Sequence, residues 1–275
     1  MGREQGCRLE SARAFTLVEV LIVTGIIALL ASLLLPALAA AKRRGRGVAC
    51  LSNAKELVTA WILYADDHST LLPPNTDGVD HLPITANWVG GTTRIPTDIT
   101  NTALLMDPSR TLLAPYLGGP RLFKCPGDRS RFVRSYSMNC RLNPTRPTGL
   151  PSWVGGVGTN FFVFRRTGDL LRPSATLVVL DERPDTINDP YFAIDMSNTG
   201  TQSGEGSPDP FFMIDYPASN HGRVSSVSFG DGHVEPHRWR ENTTCPAMGT
   251  AEPSHTSPSD LDAAWLQDHA TQAAH

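Results

Sequence analysis

From Val20 to Ala41 the chain carries no charged side chain, an uninterrupted apolar run of 22 residues. As an α-helix rising 1.5 Å per residue such a run covers about 33 Å, enough to cross the hydrocarbon core of a bilayer. The run is headed by Ala14-Phe15-Thr16-Leu17-Val18-Glu19, which puts one carboxylate, Glu19, at its start. An acid in that position costs a few kcal/mol in lipid unless it finds a partner, and such residues mark function by default. The leader before it (Arg3, Glu4, Arg8, Glu10, Arg13) is polar and charged. An ordinary secretory signal is cut after its apolar stretch, at a small-x-small site. Here the expected processing point precedes the stretch, so the apolar helix is kept.

Phe15-Thr16-Leu17-Val18-Glu19 followed by an uncharged run resembles the class III signal of type IV pilins and of type II secretion pseudopilins. The resemblance implies that a prepilin peptidase cuts between Ala14 and Phe15, where the family usually has Gly before the cut, and that Phe15 is then N-methylated. Glu19 becomes the fifth residue of the mature chain, and Pro36 its twenty-second, where many family members carry a helix-kinking proline. It further implies a single pass through the inner (cytoplasmic) membrane with the head outside, in the periplasm or beyond. The expected partners are other pilin-like subunits in a homo- or hetero-filament and an inner-membrane assembly platform. In such a filament Glu19 neutralises the amino group of a neighbouring Phe15.

Charge bears on topology and partners. From Val48 onward there are 17 Lys and Arg against 24 Asp and Glu, a net of −7. A nucleic-acid-binding head needs a basic stripe, so nucleic acid is not an expected partner. Lys42, Arg43, Arg44 and Arg46 directly follow the apolar run. By the positive-inside rule they pull that end toward the cytoplasm, whereas the resemblance implies the opposite orientation. Of five cysteines, Cys7 lies in the leader, leaving Cys50, Cys125, Cys140 and Cys245. Four cysteines in an oxidising compartment allow three pairings, and without a CxxC pair a zinc site is the weaker expectation.

The fold class expected is α+β and, by the resemblance, pilin-like: a long N-terminal helix packed on an antiparallel sheet with long loops. The divisions are a leader at 1–14, a membrane and assembly helix at 15–41, its amphipathic continuation at 42–68, a strand-rich head at 69–245 and a flexible tail at 246–275. Val48, Leu51, Ala54, Leu57, Val58, Trp61, Ile62 and Tyr64 recur at spacings of three and four, which predicts a helix ending near Asp66-Asp67-His68. Gly45 and Gly47 leave open a separate membrane helix joined by a short linker. Leu104 to Leu117 suggests a short helix ending at Gly118-Gly119. Strands are predicted around Leu122–Asp128, Phe132-Val133 and Ser135–Asn139, at Phe161–Phe164 and at Thr176–Leu180. Within the tail, Leu261–Ala270 suits a helix.

Asn220 to Val234 holds the clearest downstream motif. Val224 to Phe229 alternates as a strand, Gly230-Asp231-Gly232 suits a tight turn, and Val234 begins a return strand. Nine residues separate His221 from Asp231-Gly232, which is similar to the H-x9-DG element of large pilin-like proteins. Cys50-Leu51-Ser52-Asn53 and Lys124-Cys125-Pro126 through Asn139 also resemble that subfamily. His221, Asp231, His233 and His237 could form a metal site or an acid–base pair. The simpler expectation is that His221 bonds across the base of the hairpin and Asp231 serves its turn.

Between Asp181 and Asp215 stand eight acids (Asp181, Glu182, Asp185, Asp189, Asp195, Glu205, Asp209, Asp215) against Arg183 alone. Oxygen ligands on a long loop suit Ca²⁺, with Asp181, Asp185 and Asp189 the candidate ligands, as in the late calcium loop of major pseudopilins that the resemblance brings in. A solvated acidic loop is the alternative. No nucleophile elbow, P-loop, zincin or dinucleotide motif is present, and the Gly155–Gly158 cluster reads as a turn, so no enzyme is expected. A membrane-anchored module that binds glycan or protein through exposed Trp88 and Trp153 is the alternative to a filament subunit, with a membrane-anchored enzyme behind it.

Overall fold

The computed structural model describes residues 16–77, 86–145, 161–196, 212–251, 254–255 and 260–272. Ala14, Phe15, Trp153, the Gly155–Gly158 cluster, Glu205 and Asp209 lie outside those residues. The elements, numbered in chain order, are α1 (Leu17–Asp67), β1 (Asn75–Thr76), β2 (Tyr136–Asn139), β3 (Pro144–Thr145), β4 (Leu177–Asp181), β5 (Tyr191–Phe192), β6 (Phe212–Met213), β7 (Val224–Phe229), β8 (Val234–Arg238), β9 (Ser254–His255) and α2 (Leu261–Ala270). The chain divides into two compact units at Arg43/Arg44. It is α+β with a long N-terminal helix, as expected.

In the first unit, α1 shows its apolar side chains to the surroundings on every side. Leu17, Leu21, Leu29, Leu33, Leu34, Leu35 and Leu38 are each more than half exposed, and no described residue before Arg44 is buried. Among the described residues, α1 is the one helix long and apolar enough to cross a membrane. Its hydroxyls are satisfied within the helix: Thr24 Oγ1 donates to the Val20 carbonyl and Ser32 Oγ to that of Leu29. Pro36 lacks an N–H, yet the helix runs through it without a break. It also runs through Gly45 and Gly47, so a single α1 replaces the alternative of two helices and a linker.

In the second unit, the rest of α1 buries one stripe. Cys50, Ala54, Leu57, Val58, Trp61, Tyr64 and Ala65 lie inside, at the expected three-and-four spacing. Val48, assigned to that stripe from the sequence, is exposed, and Cys50 is the buried residue at this level. The helix ends one residue short of His68. Thr70 N–H reaches back to the Ala65 carbonyl while Ser69 and Thr70 take positive φ, the reversal that satisfies orphan carbonyls at a helix end.

The central sheet has the order β5-β2-β4-β7-β8. It is mixed rather than antiparallel, because β5 pairs parallel with β2 at one edge. Strands β5, β2, β4 and β7 are buried on both faces, while the edge strand β8 is half-buried to exposed. One cluster joins α1 with Tyr136, Met138, Val178 and Val179, and the other joins Leu177, Leu180, Val227 and Phe229 with Ala263, Leu266 and Ala270 of α2. Strict alternation would not put Leu177 and Leu180 on one face. A register shift against β7 between those two residues permits it.

Several expectations need correcting. The helix predicted at Leu104–Leu117 is two single 3₁₀ turns, Leu104–Met106 and Ala114–Tyr116. Leu122–Asp128 is a 3₁₀ turn followed by a loop turn, and Phe132-Val133 pairs with no strand; only Tyr136–Asn139 of that group is extended in the sheet. Phe161–Phe164 makes isolated bridges, one of them Phe164 to Leu142, because it runs past the sheet rather than joining it. Within the tail, the helix expected at Leu261–Ala270 is present and packed. Asp260 caps α2 by accepting the N–H groups of Asp262 and Ala263, and Asn139 Nδ2 donates to the Ala270 carbonyl at the other end. Among the described residues of the acidic segment, Asp181, Glu182, Asp189, Asp195 and Asp215 are buried rather than solvated, and Asp185 is half-buried.

Candidate functional site

At the head of α1, Thr16 and Glu19 cap one another. Thr16 N–H and Oγ1 both donate to Glu19 Oε2 at 2.8 Å, and Glu19 N–H donates to Thr16 Oγ1 at 3.2 Å. This reciprocal box satisfies two of the donors that any helix start leaves orphaned. The T-x-x-E signal was present in the sequence, so Glu19 has a local partner, and that partner is exposed.

The H-x9-DG residues have a structural explanation. The turn after β7 holds Gly232 at φ +88, and Asp231 Oδ1 accepts the backbone N–H of His233, so Asp231 serves the turn as expected. Lys55 of α1 donates Nζ to the Gly232 carbonyl at 2.7 Å, and a Cβ on Gly232 would fall 2.9 Å from Ile62 Cδ1. At the other end of β7, the His221 ring lies over Gly47 of α1, with 3.7 Å from its Cγ to a Cβ built there. The spacing therefore sets two contacts on one helix. Gly47 and Ile62 are 15 residues apart, which is about 22 Å along the axis.

His221 does not bond across the hairpin base, nor does it meet the other motif residues. His233 pairs with Asp231 and stacks on Phe229, while His237 stacks on Trp265, and burial lowers the His237 pKa to about 4. His221 Nε2 instead sits 3.1 Å from Cys125 Sγ. Cys125 Sγ is 3.0 Å from Cys50 Sγ, and Cys50 Sγ is 3.8 Å from Asp181 Oδ2. The four ligating atoms all lie within 4.8 Å of one another, the one such His, Cys, Asp or Glu group among the described residues.

Four separate elements supply this cluster. Cys50 lies on the buried stripe of α1, and Asp181 closes β4. His221 lies in the turn entering β7, where Gly222 N–H bonds back to the Ser219 carbonyl. Cys125 opens a turn closed by Asp128 N–H to its own carbonyl. Asp128 fixes that turn, accepting from Lys124 Nζ, Ser130 N–H and Ser135 Oγ. Burial works to raise the Asp128 pKa, but these donors prevail and hold it below the usual carboxylate value. Gly127 is required here: a Cβ would stand 2.6 Å from His221 Cε1 and 2.9 Å from Asn220 Cβ.

Hydrogen bonding and burial together set the electrostatics of the cluster. The hydrogen bond from Cys50, then those from His221 and the Gly127 N–H, bring the Cys125 thiol down to about 5 against the cost of its burial. Cys50, as the donor in that pair and itself desolvated, moves up. Asp181 is fully buried, which pushes its carboxyl well above the ordinary value. Its Oδ1 accepts Ser226 N–H at 2.6 Å. Tyr136 donates its hydroxyl to the Cys50 carbonyl and also lies 3.0 Å from Cys50 Sγ.

The proposed calcium ligands are taken to three places. Asp181 joins the sulfurs, Asp185 binds the Arg183 guanidinium at 2.8–2.9 Å, and Asp189 accepts the Tyr191 N–H in a buried charge group near Asp77, Arg94 and Arg134. They do not converge on one cation position. Trp88, expected on an exposed loop, is fully buried and donates Nε1 to the Pro190 carbonyl, so it offers no binding surface. Protein-family models, curated proteins and solved structures were compared with the chain, and none matches.

Proposed function

We propose that this chain is a pilin-like subunit of a type II secretion or type IV pilus-like filament, cleaved before Phe15 and N-methylated by a prepilin peptidase. The observation that carries the reading is the two-part α1. One continuous helix buries a stripe in the head, while its N-terminal part exposes apolar side chains on all sides and carries one acid at its start. An apolar surface of that extent needs lipid or like helices around it. A plain anchor would have no use for Glu19.

In the membrane before assembly, the box with Thr16 keeps the Glu19 carboxylate hydrogen-bonded. In the filament the new amino group of a neighbour's Phe15 replaces Thr16 as its partner. An ion pair at low dielectric is expensive to break, so this exchange sets the register in which subunits add. The inner-membrane platform supplies subunits, and the head faces outward. The experiment is Glu19→Val in cells that assemble the wild-type chain. The variant is expected to insert and be cleaved but to appear in no filament, and filaments built from it would refute the role given to Glu19.

A further inference from the structure

We propose that Cys50, Cys125, Asp181 and His221 bind one zinc ion, fastening α1 to the sheet of the head. The donor set is the first reason. Two sulfurs, an imidazole nitrogen and a carboxylate oxygen converge within 4.8 Å from four elements distant in sequence. Zinc takes four such ligands tetrahedrally, with bonds of about 2.0–2.3 Å, so neighbouring ligand atoms stand about 3.3–3.8 Å apart. The 3.8 Å sulfur–oxygen separation is already close to that, while the 3.0 Å between the sulfurs and the 3.1 Å between sulfur and nitrogen must open, by about 0.8 Å and about 0.4 Å, as the ion enters. Thiolates select zinc over calcium or magnesium, which favour oxygen.

Charge is the second reason. Asp181 is fully buried, and among the described residues no Lys or Arg pairs with it; its bonds are to Ser226 N–H and the Cys50 thiol. A buried carboxylate beside two thiols is an expensive arrangement unless a cation occupies it. A disulfide between Cys50 and Cys125 would use both sulfurs and leave Asp181 and His221 facing neutral atoms. A divalent ion instead uses all four groups. On binding, the Cys50 and Cys125 sulfurs are held as thiolates and Asp181 as carboxylate, and protons are released to solvent. His221 coordinates through Nε2 and keeps its proton on Nδ1.

The surroundings fit a closed, structural centre. Tyr136 braces Cys50 through sulfur and carbonyl, Ser226 N–H holds the second oxygen of Asp181, and Asn53 Nδ2 donates to the Lys124 carbonyl, joining the α1 and Cys125 segments beside the cluster. Four protein ligands leave no open position for a substrate. Zinc at this centre would bind whether or not the chain assembles into a filament.

The test uses the full chain in detergent, reduced and stripped of metal, then titrated with Co²⁺ and afterwards with Zn²⁺. One Co²⁺ per chain is expected, with a thiolate-to-cobalt charge-transfer band and tetrahedral d–d absorption, both removed by one equivalent of Zn²⁺. Cys125→Ser should lose the charge-transfer band or bind at least tenfold more weakly, and Cys245→Ser should match the parent. Because the spectrum is read on the unaltered chain, a variant that fails to fold does not decide the matter. A thiolate-free, octahedral spectrum from the reduced parent chain would overturn the proposal. Recovery of a Cys50–Cys125 disulfide from the protein of the producing cells would overturn it equally.

Discussion

The two parts of α1 are alike in backbone and opposite in surroundings. From Leu17 to Arg43 no side chain is buried, whereas from Arg44 to Asp67 eight are, including the whole of Trp61. Helix propensity does not distinguish them, since Leu, Ala, Val and Lys populate both. The difference is where the partners come from. The C-terminal part finds them in its own head, with each large side chain contributing about 1.5–3 kcal/mol on burial. The N-terminal part finds none among the described residues, and in the function proposed above lipid and other copies would supply them.

Substitutions on either side should therefore fail in different assays. The largest effect is expected at Glu19→Val, with complete loss of filaments and an unchanged thermal unfolding of the head. Trp61→Ala should do the reverse, costing the head about 3–5 kcal/mol in denaturant unfolding while membrane insertion is retained. If both variants lowered head stability alike, the division of α1 would be wrong. A smaller effect is expected at Gly127→Ala, about 1–3 kcal/mol, because the new methyl would displace His221 and Asn220. That loss should be accompanied by weaker zinc binding.

Burial raises Asp189 to about 6, helped by Asp77 and opposed by the Tyr191 N–H, Arg134 and Arg94. Its folded value lies above the unfolded carboxylate value of about 3.9, so its contribution is fully present below about pH 4 and is lost as pH rises through about 6. Unfolding of the parent head should become easier across that window, and Asp189→Asn should flatten the dependence. Insertion of the apolar part should not respond to Asp189→Asn at all.

What could be read from the sequence was whatever local pattern dictates. Apolar spacing gave the end of α1 near Asp67, β-branched density gave β4, the Gly-Asp-Gly turn gave the β7–β8 hairpin, and Leu261–Ala270 was placed as α2. Phe161–Phe164 misled because aromatic density reports burial as readily as strand pairing. The acidic segment misled for a related reason: Asp181, Asp189 and Asp215 are polar residues with buried partners, which no composition reveals. The metal cluster was hidden by distance. Cys50 lies 75 residues from Cys125 and 131 from Asp181, and His221 lies 96 beyond Cys125, so no ligand spacing signals it. Its one trace was that the three segments resembling large pilin-like proteins each hold one member, Cys50, Cys125 and His221.

If the N-terminal part of α1 is a processed assembly helix, the mass of the mature N-terminus shows it directly. Protein recovered from membranes of the producing cells should begin at Phe15 and carry one added methyl on its amino group. A chain that still begins at Met1, or one cut after the apolar run, would contradict it.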